Sequence, residues 1–189
     1  MNGLKYLLLA GLTLEPRSGY DLTQWIAKAA QHYWAADHSS IYPALAALER
    51  QGLVIFEVKP SERGPKRKVY FITENGRKIL LDWVDISPNR SEIRDEFLIK
   101  VLCYDFLPPE RAISHLQLTR KVYVEKLFWF EQSICLLNQY DRDGTYPYAG
   151  RFGIWLTIRR GILSAKAIIA WCDEAIALIQ TKVEATRFD

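Results

Sequence analysis

The chain has 189 residues, a formal net charge of +3 and a hydrophobic fraction of 49%. That apolar fraction excludes global disorder and suffices for one large domain or two small ones. So small a net charge is a weak signal for this length, and a local basic patch is better evidence for a nucleic-acid contact than a global excess.

The opening stretch from Met1 to Pro16 sets a lysine before an apolar run, the outline of a secretory leader. No small-x-small site precedes Glu15, and the run leads directly into a second amphipathic segment. It is therefore read as a first helix, about Leu4 to Leu14, ended by Glu15-Pro16 because proline disfavours a helical residue before it. No later segment reaches the roughly 18 uncharged apolar residues needed to cross a bilayer, so a cytoplasmic protein without a membrane partner is expected.

Ser18 is placed to cap a second helix, Gly19 to about Tyr33, with Leu22, Trp25, Ile26 and Ala29 on one face. Asp37 or Ser39 caps a third helix that has Pro43 in its first turn, where a missing amide proton costs nothing. Ile41, Leu45 and Leu48 form its buried stripe, and Gly52 terminates it. Leu53 to Lys59 and Arg67 to Ile72 have strand composition, with Pro60, Gly64 and Pro65 forming the turn between them. Thr73 then caps a helix through Ile79, Leu80 and Trp83.

A second region follows the loop Ser87-Pro88-Asn89. Ile93 to Phe106 is helical in pattern, and Pro108-Pro109 interrupts it. About Glu110 to Tyr140 forms a long helix carrying Tyr123, Leu127, Phe130, Ile134 and Leu137. About Phe152 to Ala185 forms another, carrying Trp155, Ile158, Ile162, Ala165, Ile169, Cys172, Ile176, Ile179 and Val183. In both, apolar residues alternate spacings of 3 and 4, which is a coiled-coil-type seam. The loop Asp141 to Gly150 lets the two fold back as a hairpin. Ile154, Leu156, Ile168, Ala175 and Leu178 lie off the main seam, so a second apolar face needs a partner. A second copy is expected, since soluble oligomers are mostly twofold homodimers. Tyr123, Leu127, Phe130, Trp155, Ile158, Ile162, Ile169, Ile176 and Ile179 are the expected dimerisation residues.

The local patch lies between Lys59 and Lys68, where five basic residues (Lys59, Arg63, Lys66, Arg67, Lys68) stand against Glu62 alone. A short helix followed by a basic two-stranded ribbon suits duplex DNA, with the helix in the major groove and the ribbon tip on the backbone. Ser39, Ser40 and Tyr42 open that helix, where polar groups reach phosphates or base edges; Ser39 is equally suited to capping. Arg63, Lys66, Arg67 and Lys68 are placed to neutralise phosphates, or else form an ordinary solvated hairpin. Ser18 and Tyr20 sit at a helix N-terminus that can hold a phosphate, though Tyr20 is equally able to pack.

Several motifs fall together here. They are Gly19-Tyr20-Asp21-Leu22, Trp34, Ile41-Tyr42-Pro43-Ala44-Leu45 with Leu48-Glu49, and Gly52-Leu53. Gly64, Lys66, Lys68 and Tyr70 follow in the ribbon, then Thr73 and Gly76. In this order the chain resembles the PadR family of bacterial transcriptional regulators. The resemblance covers about Leu4 to Val84 at the level of motifs, and only the layout beyond. Val69 departs from the aromatic or basic residue that family members often carry there. The resemblance implies a mainly α fold with a small β-hairpin wing. Residues 1–86 would be an N-terminal winged helix-turn-helix, and residues 87–189 a helical, coiled-coil-like dimerisation domain with a sensing role. It also implies a dimeric repressor on a palindromic operator in double-stranded DNA, released by a small effector such as a phenolic acid or planar aromatic drug. Which residues would bind that effector is unknown.

Against this stand few other chemistries. His32, His38 and His115 have no metal-ligand spacing, and the sequence contains no GxSxG, P-loop, HExxH or GxGxxG pattern. Neither an enzyme, a metal site nor a cofactor is expected. Cys103, Cys135 and Cys172 each lie in an apolar helical pattern and read as reduced, buried thiols. Trp25, Trp129 and Trp155 read as core, with an effector cavity as the alternative. Two rival functions remain open: a winged helix used as a protein-interaction module, and an activator.

Overall fold

In the computed structural model the described residues are 3–30, 34, 38–61, 64–87, 95–139 and 151–186. They divide into two compact units, residues 1–90 and 91–189.

The first unit is built around α1 (Gly3–Leu14), whose Leu4, Leu8, Leu9 and Leu12 are buried. Three helices surround it: α2 (Gly19–Ala29), α3 (His38–Arg50) and α4 (Glu74–Asp85). Their apolar stripes supply Leu22, Ile41, Leu45 and Leu48 to one common core. Burying a side chain of this size contributes about 1.5–3 kcal/mol, which makes this cluster the main driving force for the unit. Gly11 lets α2 close on α1, because a Cβ there would meet the Trp25 ring at 2.8 Å.

Two strands form the expected ribbon, β2 (Val54–Ser61) and β3 (Gly64–Ile72), paired antiparallel from Val54↔Ile72 to Lys59↔Arg67. The strands run further than composition indicates, taking in Pro60, Gly64 and Pro65. Pro60 is accommodated because the register shifts between Lys59 and Ser61, so its missing amide removes no rung of the ladder. A third strand, β1 (Arg17–Ser18), adds to the other side of β3, with Arg17↔Tyr70 and Ser18↔Val69. The sheet order is therefore β1-β3-β2.

The end of α3 and the start of α4 are joined by one junction. Gly52 adopts φ +66 and ends α3 in a Schellman arrangement, with Gly52 N–H donating to Glu49 O at 2.9 Å and Leu53 N–H to Leu48 O at 3.0 Å. Thr73, across the ribbon, donates its hydroxyl to Gly52 O at 2.8 Å and accepts from Gly76 N–H at 3.0 Å as the cap of α4.

In the first unit two helices differ from expectation. Helix α2 stops at Ala29 rather than Tyr33, with Ala30 as its C-cap. Helix α3 begins at His38, so Ser39 lies inside it and Pro43 falls in the second turn; Asp37, the other expected cap, lies outside the described residues. In that second turn the proline removes a bond that would reach back to the Ser39 carbonyl.

The second unit comprises α5 (Glu96–Leu102), a single 3-10 turn (Tyr104–Phe106), α6 (Pro109–Gln139) and α7 (Phe152–Thr186). Asp95 caps α5 through Phe97 N–H at 3.0 Å. The two long helices pack on each other as a hairpin. Phe130, Ile158 and Ile162 are buried between them, and Gly161 leaves the space that the Phe130 ring fills. Arg120 and Asp173 tie the helices together through a two-pronged ion pair at 2.6 and 3.3 Å. Cys172 is buried, but Cys103 and Cys135 are exposed, which corrects the expectation of three buried thiols. Among the described residues no helix is long and apolar enough to cross a membrane.

The junction makes a direct prediction. A Cβ at Gly76 would collide with the Leu53 carbonyl, a backbone atom that cannot swing away. Gly76→Ala should lower the stability of the first unit by about 2–3 kcal/mol in urea denaturation, more than the tenths expected of an exposed site on α4.

Candidate nucleic-acid interface

The N-terminus of α2, the exposed face of α3 and the strand β3 meet at one concavity of about 420 Å³, lined by Ser18, Gly19, Tyr20, Tyr42, Arg67, Lys68 and Tyr70. Five of the residues singled out from the sequence (Ser18, Tyr20, Tyr42, Arg67 and Lys68) are thus brought together. Ser39 and Lys66 are exposed outside it, and Ser40 is half-buried. Arg63 lies outside the described residues.

Ser18 is fully engaged. Its hydroxyl donates to Asp21 Oδ2 at 2.7 Å and accepts from the Asp21 amide at 3.2 Å, while its own amide donates to the same carboxylate oxygen at 3.2 Å. This capping box occupies the N-terminus of α2 with a carboxylate, which competes with a phosphate for the same positive end of the helix. Ser18 therefore positions α2, and Tyr20, 65% exposed, is the residue of this turn that reaches solvent. Gly19 allows Tyr42 to lie against the start of α2, since a Cβ at Gly19 would stand 2.6 Å from the ring.

The two wing cations in the concavity are held by weak partners. Arg67 approaches Asp21 at 3.9 Å, and Lys68 approaches Glu49 at the same distance. Lys68 Nζ also lies 3.7 Å from the centroid of the Phe56 ring. Exposed pairs of this kind contribute about 0–1 kcal/mol, so both cations can turn to an incoming phosphate at small cost. Burial, then Glu49 and Tyr42, raise the Tyr70 phenol above its ordinary 10.0, so it remains neutral and able to donate a hydrogen bond. The sequence alone marks neither Asp21 nor Glu49 as part of a charged site. The signal for Asp21 was the capping-box spacing from Ser18, three residues on; that for Glu49 existed only in the pairing of α3 with the wing.

The expected dimerisation residues divide in two. Phe130, Ile158 and Ile162 are buried between the two long helices of a single chain. Tyr123, Leu127, Trp155, Ile169, Ile176 and Ile179 are half-buried. Leu118, Phe128, Leu136, Leu163 and Leu178 are exposed apolar residues on the same two helices. Of the three tryptophans weighed as cavity residues, Trp25 packs on the first unit's core, Trp129 on the hairpin core, and Trp155 stacks on Phe152. Among the described residues no group of three or more His, Cys, Asp or Glu side chains could hold a metal ion.

The profile of the transcriptional regulator PadR-like family matches residues 8–82, and that of the virulence activator alpha C-terminal family matches residues 93–180. Residues 8–82 therefore form a PadR-like family domain. The negative transcriptional regulator PadR of Bacillus subtilis is 26% identical over 180 residues, covering 95% of this chain and 98% of that protein. Its crystal structure in complex with operator DNA superposes with a TM-score of 0.81 at 26% identity, covering 94% of this chain and 99% of that one. Its complex with p-coumaric acid gives 0.75 at 27% identity, with 94% and 98% covered. The Vibrio cholerae virulence activator AphA gives 0.72 at 26% identity, with 95% and 99% covered. The mainly α fold with a small antiparallel wing is thus that of PadR-like regulators.

Two measurements examine the site. Ser18→Ala should lower stability by about 1 kcal/mol, the worth of an N-cap, in thermal denaturation. It should leave the salt dependence of DNA binding unchanged, because the hydroxyl is spent on Asp21. Because the Tyr70 phenol has a raised value in the folded state, its contribution is complete below the unfolded value of 10.0 and is lost as pH rises through the folded value. Stability of the first unit should therefore fall above pH 10.0, and Tyr70→Phe should flatten that decline in denaturation at a series of alkaline pH values.

Proposed function

We propose that this chain is a sequence-specific repressor that acts in the cytoplasm as a homodimer on a palindromic operator and leaves it when a small aromatic effector binds. The observation that carries the reading is the concavity in which α2, α3 and β3 bring Tyr20, Tyr42, Arg67 and Lys68 together. In the proposed complex, α3 enters the major groove while Lys66, Arg67 and Lys68, with Arg63, lie along the phosphates. Tyr20, Tyr42, Ser39 and Ser40 supply hydroxyl groups for register. The capping box of Ser18 holds α2 in place behind them.

The exposed apolar residues of α6 and α7 support a twofold interface, which would set the two α3 helices in successive major grooves, about 34 Å apart. Residues 1–86 would then read DNA and residues 87–189 would pair. An effector acts by favouring a dimer whose spacing no longer fits the operator. Its aromatic class is taken from the p-coumaric acid complex of the Bacillus subtilis relative. A second reading, activation, is favoured by the match of residues 93–180 to a virulence activator family and by the likeness to AphA. Deleting the gene raises transcription from the bound promoter on the first reading and lowers it on the second.

Affinity for operator DNA, measured by fluorescence anisotropy, should fall steeply with salt. Replacing Lys66, Arg67 and Lys68 together by Gln should make the log–log slope shallower by about 2–3, close to 0.9 for each phosphate no longer neutralised. An unchanged affinity and slope would transfer the wing to a protein partner.

A further inference from the structure

We infer that α3 reads thymine 5-methyl groups, with Pro43 and Ala46 as the contacting side chains. This rests on the DNA-binding reading of the same face and names what that face recognises.

The solvent face of α3 is made by Ser39, Tyr42, Pro43, Ala46 and Arg50, all exposed, while Ile41, Leu45 and Leu48 face the core. The spacing 39, 43, 46, 50 keeps four of them in one row along the helix. Side chains that read purines by paired hydrogen bonds are Arg, Lys, Asn and Gln, and none stands on this row before Arg50. Recognition helices meet base edges mainly through their N-terminal residues, and Arg50 lies about 16 Å further along the axis from Ser39, within reach of the backbone rather than the bases.

What the first turns offer instead is small and apolar. The ring of Pro43 and the methyl of Ala46 are the middle of the row, and neither carries a side-chain donor or acceptor. Small side chains let the helix axis approach the floor of the groove. The one apolar feature displayed there is the thymine methyl. Tyr42, the bulky neighbour, is held aside against Gly19 and does not keep the helix away from the bases. Glu49, which would accept from a cytosine amino group, is half-buried and directed at Lys68 at 3.9 Å. The pattern a half-site must present is therefore a thymine or a pair of thymines opposite Pro43 and Ala46.

Uracil differs from thymine by that methyl alone, which gives the test. The full-length protein first enriches its site from a pool of duplexes with a randomised centre. Uracil then replaces thymine one position at a time in the enriched duplex. Replacement at symmetry-related positions of the two half-sites should weaken binding about threefold to fivefold per methyl, and other thymines should be silent. Ala46→Gly, checked for folding by circular dichroism, should abolish the uracil effect at one position of each half-site and leave the other in place. Pro43→Ala should do so at the other position. An enriched duplex indifferent to every uracil replacement overturns the inference while leaving the DNA-binding reading intact. Failure to enrich any sequence sinks that reading and the inference together.

Discussion

The geometry of the first unit depends on the junction between Gly52 and Thr73. A ribbon of two strands has no rigidity of its own with respect to a helix, and an isolated hairpin is marginal in water. Here the ribbon is clamped at its base. Gly52 turns α3 directly into β2, while Thr73 takes the Gly52 carbonyl on one side and starts α4 on the other. Gly76 then lies so close to the Leu53 carbonyl that only a glycine fits. The consequence appears at the far side of the sheet. Because β2 and β3 leave the junction in a fixed register, Arg67 and Lys68 arrive opposite Asp21 and Glu49, and Tyr70 arrives beside Tyr42.

That arrangement decides what kind of charge the wing carries. Arg67 and Lys68 each have a carboxylate at 3.9 Å, a distance and exposure at which the pair is worth little. Such pairs keep the cations ordered without neutralising them firmly. A phosphate offers a stronger, charge-assisted partner. The small net charge of the chain and its concentrated basic ribbon are thus compatible: the field is local, and it is aimed by the strands.

The parts of this fold that were legible in the sequence are those decided by neighbours along the chain. Pro16 ends α1, Ser18 and Thr73 cap their helices, and Gly52 stops α3. The periodic stripes place the core of both units. Strand β1 was not legible, because two residues have no periodicity; they are a strand only because Tyr70 and Val69, some fifty positions on, present a free edge. The start of α3 stayed open between Asp37 and Ser39, two able caps that local chemistry does not rank; a helix beginning at His38 excludes Ser39. The long 3–4 seam was legible as a seam, but its partner was not. The same spacing serves a neighbouring helix of the chain or a second copy, and Phe130, Ile158 and Ile162 are spent on the former. Cys103 and Cys135 show the same ambiguity: apolar neighbours in sequence did not bury them.

On the proposed reading, this packing supports a division of labour between the two units. Once α6 and α7 have buried their main seam against each other, the hairpin still exposes Leu118, Phe128, Leu136, Leu163 and Leu178. Exposed apolar side chains of this number are costly in water and do not hold the hairpin, whose helices pack through Phe130, Ile158 and Ile162. The first unit has the opposite shortage. On the proposed reading a single α3 offers a short row with few hydrogen-bonding side chains, and one such row on DNA binds weakly and discriminates little. Joining two rows through the surplus apolar surface makes the second contact intramolecular, which multiplies affinity without any new side chain in the groove. A modest reading face and an excess of apolar helix surface are then two halves of one requirement, and any ligand that alters how the hairpins pair acts on the product of both contacts rather than on either alone.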